Sequence, residues 1–201
     1  MNLIVPFDPK MFVKGLLFHC GKKFEHKFQD NYWQVAHQQY IVKIYNKSFQ
    51  YEMGENVLRF EIKFVKMKAL ARHKISTLND LSPKVLLELR ERLIECLEEI
   101  VYYDYTISTA NMQPTLIRLV DCYSNPRYWF EKLQPHRRDK HKKKLSEIIE
   151  KNSKNLRRII RTQMESESVI INQSEISKRV IINHSNIMLP NYIRIIHSVT
   201  R

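Results

Sequence analysis

Apolar and polar side chains alternate along Val57–Val65, and this alternation constrains the fold more than any other feature of the sequence. One face of the segment is apolar and consists of Leu58, Phe60, Ile62 and Phe64. The opposite face is formed by Arg59, Glu61, Lys63 and Val65. A period of two residues is typical of a β-strand with one buried face. The run Tyr40–Tyr45 predicts a second strand, and the short connection between the two favours an antiparallel pair.

The hydrophobic period lengthens further along the chain, beginning at Pro83. From there to about Tyr103, apolar residues recur every three or four positions, at Leu86, Leu89, Leu93, Leu97 and Ile100. That spacing lines one side of a helix, which Pro83 can begin behind the capping candidates Asp80 and Ser82. We therefore predict an α+β fold in which a small antiparallel sheet packs with helices.

Basic residues are concentrated in residues 136–161, where the apolar residues keep a helical spacing. The apolar positions are Leu145, Ile148, Ile149, Leu156, Ile159 and Ile160. A helix of this composition exposes a positively charged ridge beside its apolar stripe. The sequence predicts an α+β core over residues 1–125 and a basic, mainly helical extension over residues 126–201.

The scarcity of glycine excludes several enzyme classes. The chain has three glycines, and none belongs to a G-x-G-x-x-G or a G-x-x-x-x-G-K-[ST] arrangement. Only glycine tolerates the close backbone approach and the positive φ that such phosphate-binding loops need. A P-loop ATPase or a Rossmann oxidoreductase is therefore not expected.

Cysteines and histidines also lack the spacing of a metal site. The three cysteines are Cys20, Cys96 and Cys122. They are widely separated and form no C-x-x-C pair, so we expect reduced thiols buried as small apolar side chains. His19, His26 and His37 are isolated from one another along the chain and form no H-x-H motif. Neither set predicts a zinc site.

Nothing in the sequence predicts a membrane-spanning segment. No window reaches the roughly 18 consecutive apolar residues of a membrane span. The N-terminal residues lack the basic-then-apolar order of a secretory signal. We expect a cytoplasmic protein.

The charge of the chain favours a polyanionic partner. Its 34 Lys and Arg residues against 21 Asp and Glu residues give a formal charge of +13. Such cations release the counterions condensed on nucleic-acid phosphates, so we expect DNA as the partner. A solvated helix face and a membrane-surface helix are the alternatives, although the second lacks Trp and Phe on its apolar side. The expected phosphate contacts of the extension are Arg137, Arg138, Lys142, Lys143, Lys144, Arg157, Arg158 and Arg161.

The predicted strand pair brings a tyrosine, a carboxylate and several cations together. The residues concerned are Tyr45, Lys47, Arg59, Glu61 and Lys63. A phenol can attack a DNA phosphate when a divalent metal and a basic wall lower its pKa, and a carboxylate can hold that metal. The alternative is that these side chains form only the solvated face of a half-buried sheet.

Two short sequences in the strand pair have the order and spacing of a known motif. Lys43-Ile-Tyr-Asn-Lys47 and Leu58-Arg-Phe-Glu-Ile-Lys63 resemble the K-I-Y-D/N-K and L-R-x-E strands of rolling-circle replication initiators. These are the DNA-nicking proteins of plasmids and filamentous phages. The segment Ile75–Leu81 is similar to the I-x-T-L-x-D-L step that follows in many of them. The resemblance covers roughly residues 30–103.

This resemblance implies roles for individual residues. It implies that Glu61 lies near a divalent metal ion, Mg²⁺ or Mn²⁺, and that Arg59 and Lys47 are basic partners of the site. In this family the nicking tyrosine lies on a strand upstream of the motif, which makes Tyr32 a catalytic candidate. Tyr45, within the strand pair itself, is the second candidate. The DNA contacts expected in the strand pair are Lys43, Lys47, Arg59 and Lys63.

Two functions are consistent with these features. The first is a DNA-binding, replication-initiator-like protein of a mobile element, either a truncated endonuclease with a tyrosine nucleophile or a derivative without nicking activity. Initiators carry further N-terminal strands with an H-x-H motif, which this chain lacks. The second is a non-catalytic binding or assembly module that contacts nucleic acid. It would use the helix from Pro83 and the basic extension to join a partner protein that supplies the missing nuclease half.

Overall fold

The computed structural model describes residues 1–173, and it contains two antiparallel sheets with helices packed around them. The strands are β1 (Asn2–Ile4), β2 (Leu16–His19), β3 (Lys22–Lys23), β4 (Glu25–Lys27), β5 (Tyr32–Ala36), β6 (Tyr40–Asn46), β7 (Val57–Phe64) and β8 (Ile100–Tyr102). The α-helices are α1 (Pro9–Val13), α2 (Lys47–Tyr51), α3 (Pro83–Glu99), α4 (Pro114–Ser124), α5 (Arg138–Asn152) and α6 (Leu156–Gln173). Single 3₁₀ turns occupy Met67–Ala69, Ala71–His73, Leu78–Asp80 and Pro135–Arg137, and a π-helical turn occupies Tyr128–Lys132. The predicted α+β class is confirmed.

The larger sheet contains the predicted antiparallel strand pair. Its five strands run in the order β1-β7-β6-β5-β4, with antiparallel pairing throughout. The alternating side chains divide as expected, because Val42, Ile44 and Phe60 are each no more than 1% exposed and enter the core. The polar side chains between them point to the opposite face.

The smaller sheet has the order β3-β2-β8, and its last strand was predicted to be helical. The apolar spacing predicted a helix from Pro83 to about Tyr103, but α3 ends at Glu99. Ile100–Tyr102 is instead an extended strand that pairs with β2. Its β-branched and aromatic side chains are all buried, and packing in a sheet prevails over the helical spacing. The helix begins as predicted, at Pro83, with the Ser82 hydroxyl accepting a hydrogen bond from the Val85 amide.

One hydrophobic core spans the boundary predicted at residue 125. Within the described residues, Leu145 and Ile148 of α5 and Leu156 of α6 belong to the same buried cluster as Leu3 and Val42. The first two helices of the predicted extension therefore pack directly on residues 1–125. Residues 174–201 of that extension lie outside the described part of the chain.

A buried carboxylate ties α6 to the loop that follows β8. Asp104 is fully buried and accepts hydrogen bonds from the backbone amides of Thr106 at 2.9 Å and Leu156 at 2.8 Å. Leu156 is the first residue of α6, so Asp104 satisfies an amide at the helix N-terminus from a distant part of the chain. In residues 1–173, none of the helices is both long and apolar enough to cross a bilayer.

Candidate nucleic-acid interface

The outer face of the larger sheet is the face turned away from the core, and its side chains include Glu25, Lys27, Tyr32, Gln34, Lys43, Tyr45, Arg59, Glu61 and Lys63. Strand register decides which of these side chains meet. Tyr45 lies opposite Tyr32 on one side and opposite Arg59 on the other, and Lys43 lies opposite Glu61. The tyrosines, the carboxylate and the cations singled out in the sequence therefore share one surface.

Aromatic rings form a ladder across one end of this outer face. The rings of Tyr32 and Tyr45 are stacked, with centroids 5.3 Å apart and planes at 30°. Phe28 extends the ladder edge-on to Tyr32 at 5.9 Å, and it is 69% exposed. The guanidinium of Arg59 lies 5.8 Å from the ring centroid of Tyr45. An exposed ring at the end of such a ladder can stack with an unpaired base.

The turn that carries Phe28 has an unusual backbone. Phe28, Gln29 and Asp30 have φ values of 54°, 54° and 62°, although none of them is glycine. Such conformations are costly and are maintained only where surrounding contacts enforce them. The side chain of Asn31 donates hydrogen bonds to the carbonyl oxygens of Phe28 and Gln29, at 3.3 and 3.2 Å. Asn46 in turn donates to Asn31 Oδ1 at 3.2 Å, so the end of β6 holds the turn beside the ladder.

Two cations share the carboxylate of Glu61. Lys43 Nζ lies 2.9 Å from Oε1, and Arg59 Nε lies 3.1 Å from Oε2. The three side chains are only 14–22% exposed, since they pack against one another. Lys63, on the same strand as Glu61, makes no ion pair within the described residues. Lys47 lies at the start of α2, and its pKa is lowered by burial and by the positive charge of Arg59. The outer face is therefore electropositive in spite of Glu61.

Both candidate nucleophiles are held in the protonated form. Burial, followed by the negative charge of Glu61, raises the pKa of Tyr45 to about 12, although Arg59 partly opposes this. Burial and Glu61 also raise the pKa of Tyr32. A neutral phenol is a weak nucleophile, so attack on a phosphate would need a further group to remove the proton. Without such a group, the side chains of Tyr32 and Tyr45 are better suited to stacking than to nucleophilic attack.

The surroundings of Glu61 do not fit a divalent metal ion. Both of its oxygens already face cations, and like charges would oppose a third. Within residues 1–173, Glu61 belongs to no group of three His, Cys, Asp or Glu side chains whose ligand atoms could hold an ion. Mg²⁺ and Mn²⁺ favour several oxygen ligands, and a single carboxylate that two cations already share supplies too few.

Helix α5 carries the cations of the predicted ridge that are most available to a ligand. Lys143 of α5 and Arg137, in the turn before the helix, are exposed and make no ion pair within the described part of the chain. Lys142 and Lys144 form ion pairs with neighbours on their own helix, Asp139 at 2.8 Å and Glu147 at 3.7 Å, and Lys142 Nζ also lies 5.9 Å from the ring centroid of Phe18. Arg138 stacks its guanidinium on the ring of Phe130, at 5.4 Å. Exposed pairs of this kind are weak, so phosphates can compete for the lysines.

The arginines of α6 face more acidic side chains than the lysines of α5 do, because Glu98 lies beside both Arg157 and Arg161. Arg158 pairs with Glu150 at 2.9 Å, and Arg161 pairs with Glu165 at 2.9 Å. Arg157 is 17% exposed, and it donates a hydrogen bond to the carbonyl oxygen of Ile100 at 3.1 Å. The helical spacing predicted a continuous ridge, but it could not show which acidic residues pack against α6.

The structure also brings together residues that the sequence analysis kept apart. His19 Nδ1 lies 2.8 Å from His37 Nε2, so these two histidines are neighbours in space. The prediction of buried cysteines is correct for Cys96 but wrong for Cys20 and Cys122, which are exposed. Cys20 lies within 4 Å of both His19 and Glu99. No sequence spacing indicates this cluster, because it depends on the pairing of β2 with β8.

The assignment of the chain to a family stays a prediction, and it depends on the strand motifs quoted above. The geometry of the outer face follows from the register of β5, β6 and β7. Comparison with protein-family models, with curated proteins and with solved structures found nothing that matches the chain.

Proposed function

We propose that this chain is a DNA-binding, replication-initiator-like protein of a plasmid or phage, and that the outer face of its larger sheet binds single-stranded DNA. The observation that carries the proposal is the stacked pair of Tyr32 and Tyr45 beside Arg59. Tyr45 is covered by Tyr32 on one side and by Arg59 on the other, so an incoming base would stack at the exposed end of the ladder, where Phe28 lies. Lys63, which makes no ion pair within the described residues, supplies positive charge for a phosphate. The motif resemblance and the net charge of +13 support the same partner.

Single strands suit this surface better than a duplex. Bases inside a duplex are stacked on one another and present only their edges in the grooves, whereas unpaired bases expose their faces to aromatic side chains. The ladder Phe28–Tyr32–Tyr45 runs across neighbouring strands, and it ends in a ring that is 69% exposed. Successive unpaired bases can therefore stack along it.

Binding is tested by fluorescence anisotropy with a labelled single-stranded oligonucleotide and its duplex. Tyr45→Ala removes one stacking surface and should weaken single-strand binding by about tenfold. Tyr45→Phe keeps the ring and should bind as the wild type does. The matched control is Tyr105→Ala, because Tyr105 is 45% exposed and has Lys14 5.2 Å from its ring, but lies outside the larger sheet. Equal losses in Tyr45→Ala and Tyr105→Ala, or tighter binding of the duplex, would contradict the proposal.

Strand nicking is the activity that the initiator resemblance implies, and it is tested separately. Supercoiled plasmid is incubated with the protein and with Mg²⁺ or Mn²⁺, and relaxed product is measured. A nicking protein loses product in Tyr45→Phe or Tyr32→Phe while single-strand affinity is retained. If neither variant changes the amount of product, the phenols are not nucleophiles. The binding proposal does not depend on that result.

A module that joins a partner protein is the second candidate. Phe49 and Tyr51 of α2 are 53% and 58% exposed beside the outer face, where a protein partner could cover them. Exposed aromatic side chains in one place are typical of interaction sites. Size-exclusion chromatography with light scattering separates the two proposals. A dimer that Phe49→Ser and Tyr51→Ser convert to a monomer, with DNA affinity unchanged, favours the assembly function.

A further inference from the structure

A cluster of metal-ligating side chains lies where the smaller sheet meets the end of α3. His19 is the last residue of β2 and lies opposite Ile100, the first residue of β8. Glu99 directly precedes Ile100 and is the last residue of α3. The β2–β8 pairing therefore places the imidazole of His19 beside the carboxylate of Glu99, and Cys20 follows His19 in the turn.

Three different ligand atoms converge within this cluster. His19 Nε2 lies 3.0 Å from Glu99 Oε2 and 3.8 Å from Cys20 Sγ. Cys20 Sγ lies 3.9 Å from Glu99 Oε2. Tetrahedral zinc, with bonds of about 2.0–2.3 Å, separates neighbouring ligand atoms by about 3.3–3.8 Å. The three measured separations bracket that range, so small side-chain rotations would complete the geometry.

Cys20 occupies a position at which cysteine is an unusual choice. The hairpin between β2 and β3 has two central residues, Cys20 and Gly21, with φ values of 46° and 76°. Two-residue turns with two positive φ values favour Asn or Asp followed by Gly, because a Cβ is strained there. This strain presents the thiol on the side of His19 and Glu99. Since Cys20 is exposed, the turn also leaves a route from solvent to the cluster.

Neighbouring side chains orient the ligands as they do around metal ions. His37 Nε2 lies 2.8 Å from His19 Nδ1, and a hydrogen bond donated by Nδ1 leaves the lone pair of Nε2 free. Arg92 donates hydrogen bonds to both oxygens of Glu99, at 3.1 and 3.3 Å, so an ion has to compete with the guanidinium for Oε2. Two cations face Glu61 in the same way, but only Glu99 has two further ligands, His19 and Cys20, beside it within the described residues. The C-terminal end of α3 carries partial negative charge, which favours a cation beside Glu99.

We propose that His19 Nε2, Cys20 Sγ and Glu99 Oε2 bind one zinc ion. A nitrogen, a thiolate and a carboxylate form a donor set for zinc, since Mg²⁺ and Ca²⁺ prefer oxygen alone. Cys20 loses its proton to solvent on binding, and the thiolate and carboxylate then balance the two charges of the ion. Cys96 Sγ, 3.5 Å from His19 Nε2, closes the buried side of the site. The proposal is independent of DNA binding, because none of these residues lies on the outer face.

The test is metal binding by the purified full chain. Titration with Zn²⁺ against a chelator should show one ion per chain, and Zn²⁺ should raise the melting temperature. Co²⁺, used as a spectroscopic probe, should give the visible bands of a tetrahedral site and a thiolate charge-transfer band. Cys20→Ser and Glu99→Gln should each weaken zinc binding by at least about tenfold.

Two matched controls distinguish this site from general affinity for metals. Cys122→Ser removes another exposed thiol, and Glu95→Gln removes another α3 carboxylate that pairs with Arg92. Both should bind zinc as the wild type does. Circular dichroism confirms that each variant is folded, and the cobalt spectrum of the wild type needs no variant at all. The proposal fails if that spectrum lacks a thiolate band, if the wild type binds no stoichiometric zinc, or if folded Cys20→Ser retains wild-type affinity. In each case the cluster is a hydrogen-bonded structural contact only.

Discussion

Tyr32 and Tyr45 lie directly opposite each other in the register of β5 and β6, with ring centroids 5.3 Å apart. Thirteen residues separate them in sequence, and only the turn between the strands determines that they meet. Glu61 acts on both rings, since its charge adds to burial in raising both pKa values. The outer face is therefore an electrostatically coupled unit, and a change at one of these residues should be detectable at the others.

The first prediction concerns the ionisation of Tyr45. Its pKa is raised from 10.0 to about 12, so the folded chain holds this proton more tightly than the unfolded chain. The corresponding stability is complete below pH 10 and is lost as the pH rises toward 12. Phenolate formation is followed by ultraviolet absorbance as the pH is raised, in the wild type and in Tyr45→Phe. The difference between the two titration curves should show a single group with a midpoint near 12.

Glu61→Gln supplies the control for that titration. Removing the negative charge should lower the Tyr45 midpoint, since Glu61 is the second cause of the shift after burial. Arg59→Gln should move the midpoint in the opposite direction, because the guanidinium favours phenolate. If neither substitution changes the titration midpoint of Tyr45, its hydroxyl does not face these charges.

The second prediction concerns Asp104, which connects α6 to the loop after β8. Asp104→Ala leaves the amides of Thr106 and Leu156 without their acceptor, and it should lower the free energy of unfolding by about 1–3 kcal/mol. Asp104→Asn keeps one acceptor oxygen and should cost less. Urea unfolding followed by circular dichroism measures both variants. The control is Asp121→Asn, because Asp121 is exposed. If the control lowers the free energy of unfolding as much as Asp104→Ala does, Asp104 is not a specific helix cap.

The sequence predicted local structure well and long-range structure only in part. The alternation in Val57–Val65 sufficed for β7 because one face of that strand is buried on the core. The prediction from apolar spacing failed at Ile100–Tyr102, because these apolar residues continue the helical spacing of α3 and are equally suited to a buried strand. Only the partner strand β2 distinguishes the two, and β2 lies about 80 residues earlier. The His19–Glu99 contact was unpredictable for the same reason.

The outer face shows the same limit in the choice of residues. The motif led to Tyr45, Arg59 and Glu61, and the period of two placed them on one face. It did not show that Lys43 and Arg59 would occupy both oxygens of Glu61, because ion pairing depends on side-chain packing across the strands. Nor did it indicate Phe28, whose backbone conformation in the turn brings its ring against Tyr32.

The third prediction contrasts two glycines. A Cβ at Gly15 would lie 2.1 Å from the carbonyl oxygen of Tyr103 and 2.4 Å from the ring of Tyr102, both of which are buried. Gly15→Ala should therefore destabilise the fold by about 1–3 kcal/mol or more. Gly54 has nothing within 4 Å of such a Cβ and no positive φ, so Gly54→Ala should be neutral or stabilise by up to about 1 kcal/mol. Thermal unfolding measures both, and shifts of the same sign and size would refute the close approach at Gly15.

The fourth prediction divides the basic helices into cations that bind phosphates and cations that the fold has already paired. Replacing Lys142, Lys143 and Lys144 of α5 by Gln should weaken DNA binding about equally for all sequences, since phosphate contacts carry no base information. The slope of log affinity against log salt should fall by about 0.7–0.9 for each lysine that no longer neutralises a phosphate.

Arg158→Gln with Arg161→Gln is the matched double variant on α6. Arg158 lies 2.9 Å from Glu150, and Arg161 lies beside both Glu98 and Glu165, so these carboxylates already offset part of the positive charge. Removing the two arginines should therefore change the salt slope less than removing the lysines does. Salt titrations of single-strand affinity compare the two sets under the same conditions. If the lysine variant keeps the wild-type slope, the cations of α5 are a solvated helix face. If the α6 variant has the shallower slope instead, DNA must displace these glutamates, and the ion pairs seen here would be a property of the unbound protein.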